Sequence, residues 1–196
     1  MRKVTLFLML FVALQVSAQQ FHFMPKVGLN LANMTNSGAS MRAGMNIGVS
    51  GEIMIFPKFA IEPGIYYSMQ GCKESPLTLK MDYLNIPIYA KYYIYDGFNV
   101  FAGPQFGFNV STKGNISSGG VSANVDMKKA FNTVDCALGI GLGYQFDLGL
   151  LVSLNYNIGL TNLLKDGKWD FGGEVVDWDG EKSHNGVFQL NVGWRF

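Results

Sequence analysis

The most regular pattern in the chain lies between Met41 and Lys58. From Met41 to Ile55 the odd positions are Met41, Ala43, Met45, Ile47, Val49, Gly51, Ile53 and Ile55, while the even positions are Arg42, Gly44, Asn46, Gly48, Ser50, Glu52 and Met54. A period of two places these sets on opposite faces of an extended chain, one apolar and the other polar or small. The run is longer than the usual globular strand of roughly 5–6 residues. It breaks at Phe56-Pro57-Lys58, and a second alternating run starts at Phe59. Strand, tight turn, strand is the reading, with the apolar side facing lipid.

The same alternation recurs along the chain and predicts strands over 21–34, 41–55, 59–71, 79–95, 98–110, 131–146, 150–160 and 186–196. In the fourth strand the pattern slips phase near Tyr83-Leu84, which predicts a bulge there. Asp96-Gly97 is a two-residue hairpin signal. Pro57-Lys58 and Asp147-Leu148-Gly149 supply two further short turns, whereas the polar segments Ser111–Ala130 and Thr161–Asn185 read as long loops. Short turns alternating with longer loops, and an even strand count, are features of bacterial outer-membrane barrels. The predicted fold is all-β: an eight-stranded antiparallel up-and-down transmembrane β-barrel.

Composition agrees with this. Of 196 residues only 15% are charged and the net charge is +1, which leaves no basic footprint for nucleic acid. Arg2 and Lys3 followed by the apolar run Val4–Leu14 and by Val16-Ser17-Ala18 read as a secretory signal peptide over 1–18, with the barrel domain over 19–196. The two cysteines, Cys72 at a loop edge and Cys136 on a lipid-facing position, are expected to be unpaired.

The charged residues Lys26, Arg42, Glu52, Glu62, Lys91, Asp135 and Arg195 all fall on the face that carries the small residues. A dry core does not accept so many charges, but a polar lumen does. They are expected to form a salt-bridged plug, with a narrow ion path as the alternative. Phe56, Phe59, Tyr95, Phe98, Phe146, Trp194 and Phe196 gather at the short-turn end, where a periplasmic aromatic girdle belongs. Tyr67, Phe108, Phe131, Tyr156 and Phe188 are expected on the outer face nearer the long loops. The terminal Phe196 is also the expected signal for the barrel-assembly machinery. If inside and outside were reversed, the chain would be a soluble periplasmic barrel binding a small ligand.

Asp82-Tyr83-Leu84-Asn85-Ile86-Pro87 leading to Lys91-Tyr92-Tyr93 resembles a characteristic run of the PorT-like outer-membrane β-barrel family of Bacteroidetes, small barrels of the OmpX/OmpA kind. Gly103-Pro104-Gln105-Phe106-Gly107, Gly139–Tyr144, Tyr156–Asn162 and Gly193-Trp194-Arg195-Phe196 fall where that family has similar segments. The resemblance implies the fold and the membrane. The founding member's link to protein secretion makes an accessory secretion role an alternative function.

Catalytic material is thin. Ser183 and His184 with Asp179 or Glu181 offer the pieces of a lipid esterase, but a triad normally draws its members from distant segments. No metal-ligand spacing or phosphate-binding loop occurs, so no cofactor is expected, and Gly139-Ile140-Gly141-Leu142-Gly143 makes room in the lumen. The expected role is non-enzymatic, structural or adhesive, through external loops. In the last loop Trp169, Phe171 and Trp178 sit among acidic residues, a pattern suited to an extracellular protein or glycan or to a β-extension of the barrel. Outer-membrane lipid is the expected surrounding, and Lys113, Lys128, Lys129, Lys165 and Lys168 are candidates for lipopolysaccharide phosphates.

Overall fold

The computed structural model describes residues 21–35, 39–74, 77–118, 121–164, 167–171, 174–178 and 182–196. Residues 1–18, expected from the sequence to be a signal peptide, lie outside them. The strands are β1 (Phe21–Met34), β2 (Ser40–Phe56), β3 (Phe59–Glu74), β4 (Leu77–Tyr95), β5 (Phe98–Ser118), β6 (Val121–Asp126), β7 (Val134–Gln145), β8 (Leu150–Gly159), β9 (Gly167–Phe171), β10 (Glu174–Trp178) and β11 (Asn185–Trp194). Eight of them close a barrel in the order β1, β2, β3, β4, β5, β7, β8, β11 and back to β1, every pair antiparallel.

Register partners can be followed once round the wall: Phe21, Ile53, Ile61, Ala90, Ala102, Ile140, Tyr156, Phe188 and then Leu31. The circuit returns to β1 ten residues from where it began (31 against 21), a stagger that goes with strands tilted by roughly 35–45°. Along this wall Leu29, Ile47, Ile65, Ile88, Ile140 and Leu190 are exposed, while Asn30, Asn46, Glu62, Asn155 and Gln189 are buried. Apolar residues outside and polar residues inside match lipid on one side and a polar lumen on the other.

The chain turns through short connections at one end. Asp96 and Gly97 both have positive φ (35° and 78°), as a type I′ hairpin requires.

The structure corrects four sequence expectations. The segment Ser111–Ala130 is not a loop: β5 continues to Ser118, β6 pairs back on it, and a single 3₁₀ turn (Lys128–Ala130) follows. Within Thr161–Asn185, expected as a loop or as a β-extension of the barrel, the strands β9 and β10 pair with each other in a sheet separate from the barrel wall. The bulge sits on β5, where Asp82 and Tyr83 pair with Ser111 and Asn109 and leave Val110 without a partner. β4 itself keeps one phase, with Leu79, Met81, Tyr83, Asn85, Tyr89 and Lys91 all buried. What changes at Tyr83-Leu84 is the surroundings of the strand. Finally, Phe131 lies outside the strands, bridged to Leu164, and is 4% exposed, so it points inward.

Candidate functional sites: the lumen and the outer rim

The lumen is layered. Near the short-turn end, Lys26 pairs with Glu62, Glu62 with Lys91, Lys91 with Glu52 (3.0 Å) and Glu52 with Arg195 (3.1 Å). Five residues from four strands and the chain end thus form one continuous ion chain, in which each carboxylate lies between two cations. Glu52 is fully buried, and only Arg195, with 26% of its side chain exposed, reaches the open mouth. The Tyr93 hydroxyl donates to Glu52. With the Gln145 amide nitrogen facing Tyr93 (2.8 Å), its oxygen accepts from Arg195 Nη1 (2.6 Å) and Nε (3.1 Å). Burying such charges costs several kcal/mol per ion unless partners surround them, as they do here.

The middle layer consists of amides and hydroxyls. Asn30 donates to Ser68 (2.9 Å), Gln189 to Asn30 (2.9 Å), Asn155 and Asn157 to Gln189 (2.9 Å each), Asn191 to Asn155 (3.0 Å) and Asn46 to Asn191 (2.9 Å). Tyr89 leans on Phe101 with centroids 5.1 Å apart. The glycines opposite make this possible: a Cβ at Gly139 would come within 2.6 Å of the Tyr89 ring, and one at Gly141 within 2.5 Å of Phe101. Two interior voids of about 20 and 10 Å³ lie among these residues, each about the size of one water.

At the long-loop end the lumen becomes apolar. Met34, Ala39, Cys72, Leu79, Met81, Tyr83, Phe131 and Leu163 form a buried cluster, with Met127, Ala130 and Leu164 packed against it.

Of the seven predicted lumen charges, the structure brings five together. Arg42 stands apart, half-buried, with its guanidinium donating to the Gln70 carbonyl. Asp135 is buried at the long-loop end, where it accepts from Thr161. The predicted girdle residues surround the short-turn end: Phe56, Tyr95, Phe98, Phe146, Trp194 and Phe196 are exposed and Phe59 is half-buried. There an open bowl of about 790 Å³ forms the mouth, lined by His22, Lys58, Tyr95, Phe146, Arg195 and others.

Trp169 and Trp178 fall in the β9–β10 hairpin, opposite Val176 and Gly167, and Phe171 pairs with Glu174; their side chains lie outside the described residues. Asp179, Glu181 and Lys165 also lie outside them, and of Lys168 only the backbone is described. Ser183 donates to the Thr35 carbonyl (2.9 Å) and His184 Nδ1 faces the Thr161 carbonyl (3.0 Å), so the two side chains turn to different partners. Cys72 and Cys136 are not joined to each other; Cys72, two residues before the end of β3, is buried in the apolar cluster. Sequence reasoning missed Phe101 and the apolar cluster. The inward parity of Leu79, Met81 and Phe101 on their strands was the available signal.

Residues 17–165 match the family model of the outer membrane protein beta-barrel domain, and the chain belongs to that family. It is an outer-membrane protein. Among solved structures it resembles Ail, the attachment invasion locus protein of Yersinia pestis, at 14% identity and TM-score 0.51, over 90% of this chain and 99% of that one. It also resembles Neisserial surface protein A at 11% identity and TM-score 0.52, over 90% and 97%. A third structure is Ail in complex with the heparin analogue sucrose octasulfate, at 15% identity and TM-score 0.51, over 90% and 99%. At these identities the likeness concerns the fold. No curated protein matches the chain.

Proposed function

We propose that this chain is a non-enzymatic surface protein of the PorT-like kind, holding an external sheet above the membrane for contact with an extracellular protein or glycan. The supporting observation is the asymmetry of the barrel. β5 is 21 residues long and pairs along its outer half with β4 and β6, while β6 ends the sheet and has no second strand partner among the described residues. An open edge is a template for another extended chain. The membrane-facing partner is outer-membrane lipid with its lipopolysaccharide, and the terminal strand carries the contact with the barrel-assembly machinery.

Replacing Trp169 and Trp178 together by alanine, and separately shortening the β5–β6 hairpin, tests this. The variants are expected to keep the heat-modifiable gel mobility of a closed barrel and to lose binding on an array of glycans and matrix proteins. Binding that survives both changes sinks the proposal. A narrow pore or a secretion accessory is the competing role. A side-chain-filled lumen speaks against conduction, and steady single-channel currents from the refolded protein would restore it.

A further inference from the structure

The outer wall carries a second cluster of cations, distinct from the lumen chain. A cleft of about 520 Å³ opens on it, bounded by Arg42, Met69, Lys80, Asp82, Lys113 and Asp126, with Ser111, Asn124 and Val125 completing it. Lys80 and Lys113 are direct register partners on β4 and β5, and both are exposed. Like charges placed directly opposite one another destabilise a sheet unless a counter-ion joins them. Among the described residues neither lysine forms an ion pair. The cleft also holds two carboxylates: Asp82, which bonds the Tyr67 hydroxyl, and Asp126, which is the register partner of Lys113 on β6 and accepts from the Lys128 backbone amide (2.9 Å), so three cations face two anions. Lys128 adds a further cation nearby, its ammonium on the Val110 carbonyl (3.0 Å).

The height of the cleft indicates its occupant. On β4 the same outward face runs from Ile88 and Leu84 through Asp82 to Lys80, so the lysine stands four residues beyond Leu84, roughly 13 Å along the strand. Phe108 and Val110 on β5, both exposed, lie just below. An apolar belt that passes, beyond Asp82, into opposed cations matches a lipid whose chains lie on the belt and whose phosphate reaches the cations. Guanidinium and ammonium groups bind phosphate oxygens by charge-assisted hydrogen bonds.

We infer that the Arg42–Lys80–Lys113 cleft holds a phosphate group of an outer-leaflet glycolipid. This rests on the lipid half of the function proposed above and names residues for it.

The test uses the mature chain refolded into phosphatidylcholine nanodiscs doped with diphosphorylated lipid A or with its dephosphorylated form. Lipid retained through detergent extraction is read by native mass spectrometry. Diphosphorylated lipid A is expected to be retained preferentially. Lys80→Gln with Lys113→Gln should weaken that retention by roughly tenfold, as losing charge-assisted bonds does. Lys58→Gln, at the opposite end of the barrel, should leave it unchanged, with closed-barrel gel mobility preserved in all variants. Equal retention of both lipids overturns the inference. Preferential retention that the double variant does not alter removes the site while leaving the lipid partnership standing. Inorganic phosphate displacing the lipid at low concentration shows a free-anion site and overturns the lipid assignment. The surface-binding reading is decided separately, by the tryptophan variants.

Discussion

The two ends of the lumen solve the same packing problem in opposite ways. At the short-turn end the interior is an ion chain from Lys26 to Arg195 closed by Tyr93 and Gln145; at the long-loop end it is an apolar cluster around Tyr83 and Phe131. β4 runs through both without changing phase. In its lower part Asn85 and Lys91 point inward and Leu84, Ile86 and Ile88 outward, whereas in its upper part Leu79, Met81 and Tyr83 point inward and Lys80 and Asp82 outward. The strand is therefore a membrane protein below and a soluble protein above, and the inversion marks where lipid gives way to water.

This comparison can be broken most severely at Glu62. Glu62→Gln leaves Lys26 and Lys91 buried beside a neutral amide, and a loss of about 3–5 kcal/mol is expected in urea unfolding of the refolded barrel. Adding Lys26→Met should recover part of it, because Lys26 loses its carboxylate partner whereas Lys91 keeps Glu52.

Two substitutions on the outward face of β4 test where the inversion lies. Ile88→Lys places a charge on the lipid face and should cost about 2–4 kcal/mol, while Lys80→Leu above it should stay within about 0.5 kcal/mol of the parent. Equal costs at the two positions would mean that both see the same solvent.

Phe131→Ala empties the centre of the upper cluster and should cost roughly 3 kcal/mol while the heat-modifiable band persists. Ser183→Ala removes the bond to the Thr35 carbonyl and should cost about 1 kcal/mol, with no change in lipid hydrolysis by the refolded protein.

The barrel itself was legible in the sequence because period-two alternation is a local property: Met41–Ile55 announces β2 without reference to any other segment. Depth is not local. Parity places Arg42 and Asp135 on the same kind of face as Lys26 and Glu62, but register sets Asp135 higher, opposite Gly107, and the β2–β3 register shift between Met41 and Asn46 spans Arg42, which lines the outer cleft instead of the lumen. The same limit explains the phase slip. A change of solvent along β4 imitates a bulge, because hydrophobicity reports which face is wet rather than which way the backbone points. The outer half of β5 was hidden for a further reason: above the lipid neither face needs a long apolar run, so Ser111–Ser118 looks like a loop while pairing as a strand.

The β1–β11 seam has a kinetic consequence. It joins the first described strand to the last, with Lys26 opposite Gly193, so no closed wall can exist until nearly the whole chain has been delivered. Contacts of such sequence separation carry the largest loop-closure cost and form late, and a partly assembled sheet keeps two unpaired edges meanwhile. The export route must therefore hold the unfolded chain apart from its neighbours for as long as delivery takes, and a protein lacking its last ten residues would be a persistent aggregation hazard rather than a smaller barrel.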